Sequence, residues 1–322
     1  MSRYFLGVDG GGTKSAFVVL DDLGRICGRH EEAGSYHVQV GMDGLRTVLT
    51  NGIDAVLQKS ALTANDLTHA FFGLPAYGED NRVTGNLDAM PASILGHARY
   101  VCGNDMVCGW AGSLGCEDGI NIVAGTGSIG YGEYQGRIAR AGGWGDIFGD
   151  EGSAYWIAVE GLGAFSKMSD GRLPRGPLYD IIRTKFGFAD DLDVSGFFAG
   201  GERDAVAAVS RLVTQAAAQG DSQAQKIFAQ AVGELVLLVT AISTALNFDT
   251  GTEIMISYSG GVFNAHEWIL SPFIQALQSE PRAYRITQPR FDPGIGAALY
   301  AAKLVDGDTL KMMAARHEGD AP

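Results

Sequence analysis

The chain has 322 residues, of which 46% are hydrophobic, so it is long enough to bury a large core and to form two domains. Its 24 basic and 37 acidic residues give a formal net charge of −13, which argues against nucleic acid or an anionic membrane as a partner. The four cysteines show no CxxC or Cys/His-finger spacing. The sequence also shows no signal-peptide pattern and no apolar run near the about 20 residues of a membrane span. These features favour a reduced, cytoplasmic protein.

The first notable stretch is Gly7-Val8-Asp9-Gly10-Gly11-Gly12-Thr13-Lys14, which joins two predicted strands, residues 4–8 and 15–20. Glycines allow backbone N–H groups to approach an oxyanion closely, Thr13 and Lys14 add donors, and Asp9 suits a hydrated Mg²⁺ near phosphate. It is not a P-loop, because Thr13 separates the lysine from the last glycine and a strand follows instead of a helix. Taken alone, the stretch is equally consistent with a tight hairpin turn without a ligand.

The rest of the first half reads as an α/β unit with the element order βββαβαβ. After the opening pair, the predicted elements are a strand at 25–30, an amphipathic helix at 44–59, a strand at 70–74, a helix at 81–90 and a strand at 98–102.

The same pattern then starts again. Strands are predicted at 119–124 and 129–134 around the turn Gly125-Thr126-Gly127-Ser128, and each half has Gly-Arg-Ile entering its third strand. The sequence therefore predicts a duplicated domain facing itself across a cleft, divided as 1–117 and 118–322, with the last helix able to pack back on the first domain. The second turn belongs to a literal GxGxxG, but a strand follows it, which argues against a dinucleotide site. Two Gly/Thr hairpins suit a pair of clamps on nucleotide phosphates.

Asn104-Asp105 lies between the two halves, after an apolar strand and before a helix that starts near residue 106. An Asp at a helix N-cap is common for structural reasons alone. In the crevice between two phosphate-binding halves, however, a carboxylate at a strand end can accept a hydroxyl proton while the oxygen attacks phosphorus.

A Gly-rich loop follows, from Gly142-Gly143-Trp144-Gly145 to Gly149-Asp150-Glu151-Gly152-Ser153. Asp150 or Ser153 can simply cap the next helix. The combination of carboxylates, backbone donors and an indole also suits a polyhydroxylated ligand, since carboxylates accept from sugar hydroxyls and an indole covers the apolar face of a sugar ring.

The remaining elements are mostly helical. They are predicted helices at 178–186, 204–219 and 222–246, a strand at 253–258, the turn Ser259-Gly260-Gly261-Val262 and a small-residue helix from 293. The long helix at 222–246 is expected to be core. The Gly-rich turn is either structural or a third ligand loop.

Together these motifs resemble the N-acetylglucosamine kinase and BadF/BadG/BcrA/BcrD ATPase family, within the sugar-kinase, Hsp70 and actin (ASKHA) superfamily. The resemblance runs from about residue 4 to about residue 302 and is closest to the N-acetylglucosamine kinase branch, through Gly142-Gly143-Trp144-Gly145 and the stretch from Gly149 to Ala158. It implies an α/β fold of duplicated ribonuclease H-like (actin/hexokinase-like) domains with an interdomain cleft, ATP and Mg²⁺ as cofactors and a homodimer. The related dehydratase activators hold an iron–sulfur cluster through a cysteine motif that this chain lacks.

Residue roles follow from the resemblance, position by position. Asp105 is implied to be the catalytic base and Asp9 to support the metal. The implied ATP-binding residues are Gly11, Gly12, Thr13, Lys14, Thr126, Gly127, Ala217 near the adenine, Gly260, Gly261 and Phe263. The implied sugar-binding residues are Tyr36, Asn104, Asp105, Ser128, Trp144, Gly145, Asp150 and Glu151.

One sugar-site residue differs from the family pattern: Tyr36 stands where the family has an Asn that contacts the sugar. A phenol cannot both donate and accept through an amide as Asn does, so glucosamine or another amino sugar is as open as N-acetylglucosamine. The expected activity is transfer of the γ-phosphoryl group of ATP to a hydroxyl, the 6-OH, of such a sugar. A hexokinase of broader range and an ATP-driven switch or activator of a protein partner are the alternatives.

Overall fold

The computed structural model describes residues 2–310 and residue 313. These form two compact units, the first made of residues 2–117 with the segment from 288 onward and the second of residues 118–287. The chain thus leaves the first unit after Glu117 and returns to it at Gln288.

The first unit contains a five-stranded sheet with the strand order β3-β2-β1-β4-β5. The strands β1 to β3 are antiparallel neighbours, whereas β1, β4 and β5 run parallel. The strands are β1 (Tyr4–Asp9), β2 (Lys14–Asp21), β3 (Ile26–Ala33), β4 (Leu67–Leu74) and β5 (Tyr100–Asn104). The helices are α1 (His37–Ser60), α2 (Asn81–Leu95), α3 (Met106–Leu114) and, from the returning segment, α11 (Pro293–Lys303).

The second unit repeats this sheet. Its five strands are ordered β10-β9-β6-β7-β8, with β6 to β8 antiparallel and β6, β9 and β10 parallel. The strands are β6 (Gly119–Ala124), β7 (Ser128–Tyr134), β8 (Arg137–Gly142), β9 (Ile254–Ser259) and β10 (Tyr284–Thr287). The helices are α4 (Ala154–Ser169), α5 (Pro177–Phe186), α6 (Asp193–Phe198), α7 (Arg203–Ala207), α8 (Ser210–Ala218), α9 (Ser222–Leu246) and α10 (Ser271–Gln278). The prediction of an α/β protein with two duplicated halves is confirmed.

Helix α1 shows how sequence pattern sets the packing of the first unit. Its apolar residues recur at helical spacing and are buried, so they form one face against the sheet residues Leu6, Val8 and Phe17. The helix begins at His37, earlier than predicted, and its first turn is set off by Gly41, which has a φ of 71°. A left-handed backbone at this point requires glycine and separates Tyr36 from the regular helix.

The opposite face of the first sheet is covered by α11 and α3, and small residues make this close packing possible. A Cβ on Gly7 of β1 would lie 2.1 Å from the backbone nitrogen of Ala298. A Cβ on Gly296 of α11 would lie 2.2 Å from the backbone nitrogen of Gly112 in α3. The predicted small-residue helix therefore forms, and its glycines and alanines bring its backbone directly against β1.

Helix α9 is the central helix of the second unit. It is 25 residues long, and its most apolar window has a mean hydropathy of 1.8, so by length and composition it is able to cross a membrane. This corrects the sequence-based expectation that no apolar segment approaches that length. Half of the window is buried inside the unit, and the helix packs on α4, α8, α10 and the sheet, as the core helix of a globular domain does.

The predicted helix at 204–219 is divided in two. Helix α7 ends at Ala207 and α8 begins at Ser210, with a turn between them. Val206 of α7 and Val209 of the turn both belong to a small buried cluster with Ala158 of α4.

The close contact between Gly7 and α11 leads to a prediction about the stability of the first unit. We expect Gly7→Ala to lower the free energy of unfolding by about 3 kcal/mol, because the new methyl group overlaps the backbone of α11. Thermal and urea unfolding measure the change.

Gly85→Ala is the matched control. Gly85 lies on the exposed side of α2, with open space at its Cβ position, so the same substitution is expected to stabilise by about 0.5–1 kcal/mol. Equal effects of the two substitutions would contradict the packing described here.

Candidate active site

Two carboxylates lie at the carboxyl edge of the first sheet, on strands that flank β4. Asp9 ends β1 and Asp105 follows β5. Gly73 of β4 lies between them, and a Cβ there would be 2.2 Å from Cys108 Sγ and 3.2 Å from Asp105 Cα. Its carbonyl accepts a hydrogen bond of 2.8 Å from the Gly10 amide. Because only glycine fits between β1 and α3, the two acids approach one another across a single strand.

These two acids have raised pKa values. Burial is the main cause for Asp9, followed by repulsion from Asp105 and Asp292, and its pKa rises to about 7 despite the hydrogen bond with Cys108 and the charge of Lys14. Burial, and then repulsion from Glu79, raise the pKa of Asp105 to about 6. The backbone N–H groups of Met106 and Asp105 offset only part of this rise. Such a pair titrates near neutral pH and attracts cations.

The residues around Asp9 fit a hydrated magnesium ion. Among residues 2–310 and 313, no group of three or more His, Cys, Asp or Glu side chains is placed to hold a metal ion. A cation at Asp9 would therefore take most of its ligands from water and from phosphate, which is the coordination that Mg²⁺ prefers. A bound cation would offset the repulsion that Asp105 and Asp292 exert on the Asp9 carboxylate.

Asn104, rather than Asp105, binds the start of α3. The Asn104 Oδ1 atom accepts a hydrogen bond of 3.1 Å from the Met106 amide, and its Nδ2 donates one of 3.2 Å to the Tyr77 carbonyl. Asp105 occupies the N-cap position but makes no side-chain capping hydrogen bond. The helix-capping role that the sequence also allowed for Asp105 is therefore filled by Asn104. The Asp105 carboxylate is left available for chemistry.

The first Gly-rich turn has its donors at the surface. Gly34 packs beneath it, with a hypothetical Cβ 2.1 Å from the Gly12 carbonyl oxygen, and the Ser35 amide donates to the Gly11 carbonyl at 2.9 Å. Thr13 is exposed, and the ammonium of Lys14 lies 3.1 Å from Glu31. The predicted hairpin therefore forms, and Gly12 and Thr13 are exposed at its tip.

Tyr36 directly follows the segment that packs under this turn. It precedes the first residue of α1, and its carbonyl accepts from the amides of Gln39 and Val40. Its half-buried ring meets the His37 ring edge to face, with centroids 5.8 Å apart. A rigid aromatic residue thus stands next to the first Gly-rich turn.

In the second unit, the Gly125 to Gly127 turn is fixed by the start of α4. The amides of Ala154 and Tyr155 donate to the carbonyls of Gly125 and Thr126 at 2.8 and 3.3 Å. Gly260 begins the third Gly-rich turn with a φ of 100°, and a Cβ there would lie 2.3 Å from the Ala124 carbonyl. The two turns predicted to bind ATP in this half therefore lie against each other.

Beside these turns lies a cavity of about 690 Å³, a size typical of cofactor sites. Small and apolar residues of four helices line much of it, together with a few charged and polar groups. The lining residues are Gly125, Thr126, Ala154, Ile157, Asp204, Ala207, Ala208, Ser210, Arg211, Thr214, Phe228, Gly261, Val262, Asn264 and Ala265.

Two of the residues predicted to bind ATP, Ala217 and Phe263, are not among those that line this cavity. Ala217 is 1% exposed and belongs to the hydrophobic core, whereas Arg211 and Thr214 of the same helix line the cavity. Phe263 is also buried, against Tyr258 and Phe273. The local sequence marks α8 as helical but does not reveal which face meets the cavity.

The loop before α4 brings several predicted sugar-binding residues together. Asp150 is buried, with its Oδ1 atom 3.4 Å from the Ser128 amide, and the Ser128 hydroxyl donates to the Glu151 carbonyl at 2.7 Å. Ser153 caps α4 by accepting from the Trp156 amide. Trp144, beside Gly145, is 68% exposed, with the guanidinium of Arg140 5.7 Å from its ring centroid.

Arg203 and Asp204, at the start of α7, were not foreseen from the sequence. Arg203 forms an ion pair with Asp150, and the Thr126 hydroxyl donates to Asp204 Oδ1 at 2.8 Å. Burial raises the pKa of Asp150, and the charge of Arg203 acts against that rise. The one available signal was the charged run Glu202-Arg203-Asp204 directly after two glycines.

Comparison with known proteins places these features in context. The sequence profile described as the BadF/BadG/BcrA/BcrD ATPase family matches residues 6–301. An N-acetyl-D-glucosamine kinase of Dictyostelium discoideum is 29% identical over 92% of this chain and 97% of its own. An N-acetylmuramic acid/N-acetylglucosamine kinase of Clostridium acetobutylicum is 26% identical over 94% of this chain and 100% of its own. Among solved structures, a protein of Chromobacterium violaceum, provisionally named an N-acetylglucosamine kinase, has a TM-score of 0.72 at 27% identity and covers 92% of this chain and 98% of its own.

The raised pKa of Asp105 leads to a prediction about stability. A carboxyl group whose pKa is raised in the folded state from 3.8 to about 6 lowers the stability of the fold progressively as the pH rises from about 4 to about 6, and above about 6 the full penalty of ionisation is present. We therefore expect Asp105→Asn to raise the melting temperature more at pH 8 than at pH 5, in the absence of ligands.

Differential scanning fluorimetry at the two pH values measures the effect. Asp54→Asn, on the exposed side of α1, is the control and should change the melting temperature equally at both. A pH-independent effect of Asp105→Asn would show that this carboxylate carries no penalty on ionisation.

Proposed function

The chain belongs to the BadF/BadG/BcrA/BcrD ATPase family, and we propose that it is an ATP-dependent kinase of an amino sugar. The proposed reaction transfers the γ-phosphoryl group of ATP to the 6-hydroxyl of N-acetylglucosamine or glucosamine. The observation that carries the proposal is the Asp105 carboxylate, which lies at the end of a parallel strand, makes no capping hydrogen bond and has a pKa of about 6. Kinases of N-acetylglucosamine at 26% and 29% identity over nearly the whole chain support the substrate class.

Asp105 is the proposed base. A carboxylate with a pKa of about 6 is ionised at neutral pH and is more basic than an ordinary Asp, so it accepts the proton of the sugar hydroxyl more readily. As that proton moves to Asp105, the sugar oxygen forms its bond to the γ-phosphorus and the bond from the γ-phosphorus to the bridging oxygen breaks, which releases ADP. The carboxyl group afterwards returns the proton to solvent.

ATP is held by backbone donors and hydroxyl groups rather than by many charges. Thr13, Lys14 and Thr126 are the proposed phosphate contacts, and the cavity between Thr126 and Val262 is the proposed adenosine site. Asp9 would hold the Mg²⁺ ion, which when bound neutralises charge on the phosphates. The cavity suits this role because its small residues admit a flat base and its Ser, Thr and Asn side chains offer hydrogen bonds.

The sugar site is proposed to include Tyr36, Asn104, Ser128, Trp144, Gly145, Asp150 and Glu151. Asn104 has both amide atoms engaged with backbone groups, so its proposed role is to hold the start of α3, next to Asp105, in place beside the sugar. The exposed indole of Trp144 is available to cover a sugar ring. Tyr36 offers one hydroxyl group in place of an amide. Glucosamine or another amino sugar is therefore as consistent with the site as N-acetylglucosamine.

The alternative of an ATP-dependent activator has less support. Cys102, Cys108 and Cys116 are buried, so they are not placed to share a cluster with another subunit. We also propose a cytoplasmic location, where thiols stay reduced. The family resemblance also leads us to propose a homodimer.

The proposed activity predicts that ADP release depends on an amino sugar. With purified protein, ATP and Mg²⁺, we expect stimulation of at least tenfold by glucosamine or N-acetylglucosamine, and weaker stimulation by glucose, in a coupled ADP assay. Coupling of the product phosphorus to the C6 protons in an NMR spectrum identifies the hydroxyl. A hexokinase would respond equally to all the sugars, and a switch would show slow, sugar-independent hydrolysis.

The role of Asp105 is tested by Asp105→Asn. This nearly isosteric change removes the base but keeps hydrogen bonding, so turnover should fall by about 10³-fold or more while ATP and sugar still bind in calorimetry. Near-normal turnover would exclude Asp105 as the base.

A further inference from the structure

Two consecutive side chains at the start of α7 reach different parts of the candidate site. Arg203 pairs with Asp150 in the loop before α4, which we call the sugar loop (residues 142–152). Asp204 accepts a hydrogen bond from Thr126 and lines the proposed adenosine cavity. A single short helix therefore supports both ligand-binding regions of the second unit.

The guanidinium of Arg203 lies among groups of the sugar loop, the turn after β6 and the start of α4. Its Nη2 atom donates to Asp150, and its Nε atom lies 3.9 Å from Asp146 Oδ1. A Cβ on Gly127 would lie 2.8 Å from the Nη2 atom, and the ring centroid of Tyr155 is 5.8 Å from the guanidinium carbon. Arg203 thus contacts the sugar loop at both Asp146 and Asp150, on either side of the exposed residues Ile147 and Phe148.

Asp150 needs such a partner. It is 4% exposed and has a φ of 56°, a backbone conformation that few residues other than glycine adopt. Burial raises the pKa of its carboxyl group, and the charge of Asp146 adds to the rise, whereas Arg203 opposes both. The Oδ2 atom is occupied by Arg203, and Oδ1 meets the Ser128 amide only at 3.4 Å, so Oδ1 keeps room to accept another hydrogen bond.

We propose that Arg203 is a positioning residue for the sugar. It fixes the Asp150 carboxylate so that Oδ1 accepts from a hydroxyl of the amino sugar, and it ties the sugar loop to the helix that lines the adenosine cavity. The inference rests on the proposed function for the identity of the ligand. The buried Nε atom of Arg203, which has no hydrogen-bond partner among the described residues, leaves the guanidinium a further donor for a ligand oxygen or for Asp146.

The test compares three variants by steady-state kinetics with the amino sugar and ATP varied in turn. Arg203→Met removes the charge and keeps the bulk, and it should raise the KM for the sugar by about 10- to 100-fold while the KM for ATP changes by less than about threefold. Arg203→Lys restores the charge without the planar fork and should recover part of the loss. Arg183→Met is the matched control, because it removes another Arg–Asp pair of the same unit, with Asp191, that does not touch the sugar loop.

A second measurement does not depend on turnover. Hydrogen exchange of the ligand-free protein should become faster in residues 143–152 of Arg203→Met and stay unchanged there in Arg183→Met. The proposal is overturned if the sugar KM of Arg203→Met is unchanged, or if both KM values rise together without faster exchange in the sugar loop. If the wild-type protein phosphorylates no sugar, the proposed function fails, and exchange in the sugar loop alone then decides whether Arg203 fixes Asp150.

Discussion

The placement of two like charges at one edge of the first sheet is the constraint on which the candidate site depends. Asp9 ends β1 and Asp105 follows β5, the strands on either side of β4, and burial together with repulsion from neighbouring acids raises the pKa values of both. This arrangement opposes folding at neutral pH, so it requires support from the surrounding packing. Gly73 allows β4 to lie close to α3 and Asp105. The small residues of α11 bring that helix directly against β1, which buries apolar surface.

The two units share one sheet topology but differ in the chemistry they carry. In the first unit, the acids at the carboxyl ends of β1 and β5 suit proton transfer and cation binding. In the second, the turn after β6 is free of acids, and Gly260 packs on its backbone beside a large cavity. Duplication thus supplies two similar Gly-rich turns, and divergence of the helices around them gives each turn different neighbours.

The sequence predicted what depends on local pattern. The glycine turns, the order of elements in the first half and helix α9 were all readable, because backbone freedom and apolar spacing act within a few residues, whereas strand β10 was not predicted. The site was less readable where contacts join distant positions: Arg203 meets Asp150 across 53 residues and Asp204 meets Thr126 across 78. Even at Asn104 and Asp105 the sequence could not decide which side chain caps α3, since that depends on the Tyr77 carbonyl.

The break between α7 and α8 gives the distant contacts a common origin. Helix α7 has five residues, so it forms too few internal hydrogen bonds to be stable alone and depends on its contacts for its position. Its packing on α4 through Val206, the ion pair of Arg203 and the hydrogen bond of Asp204 together supply those contacts. Because Val206 and Asp204 hold α7 independently of the Arg203 ion pair, the wall of the cavity does not depend on the sugar loop alone.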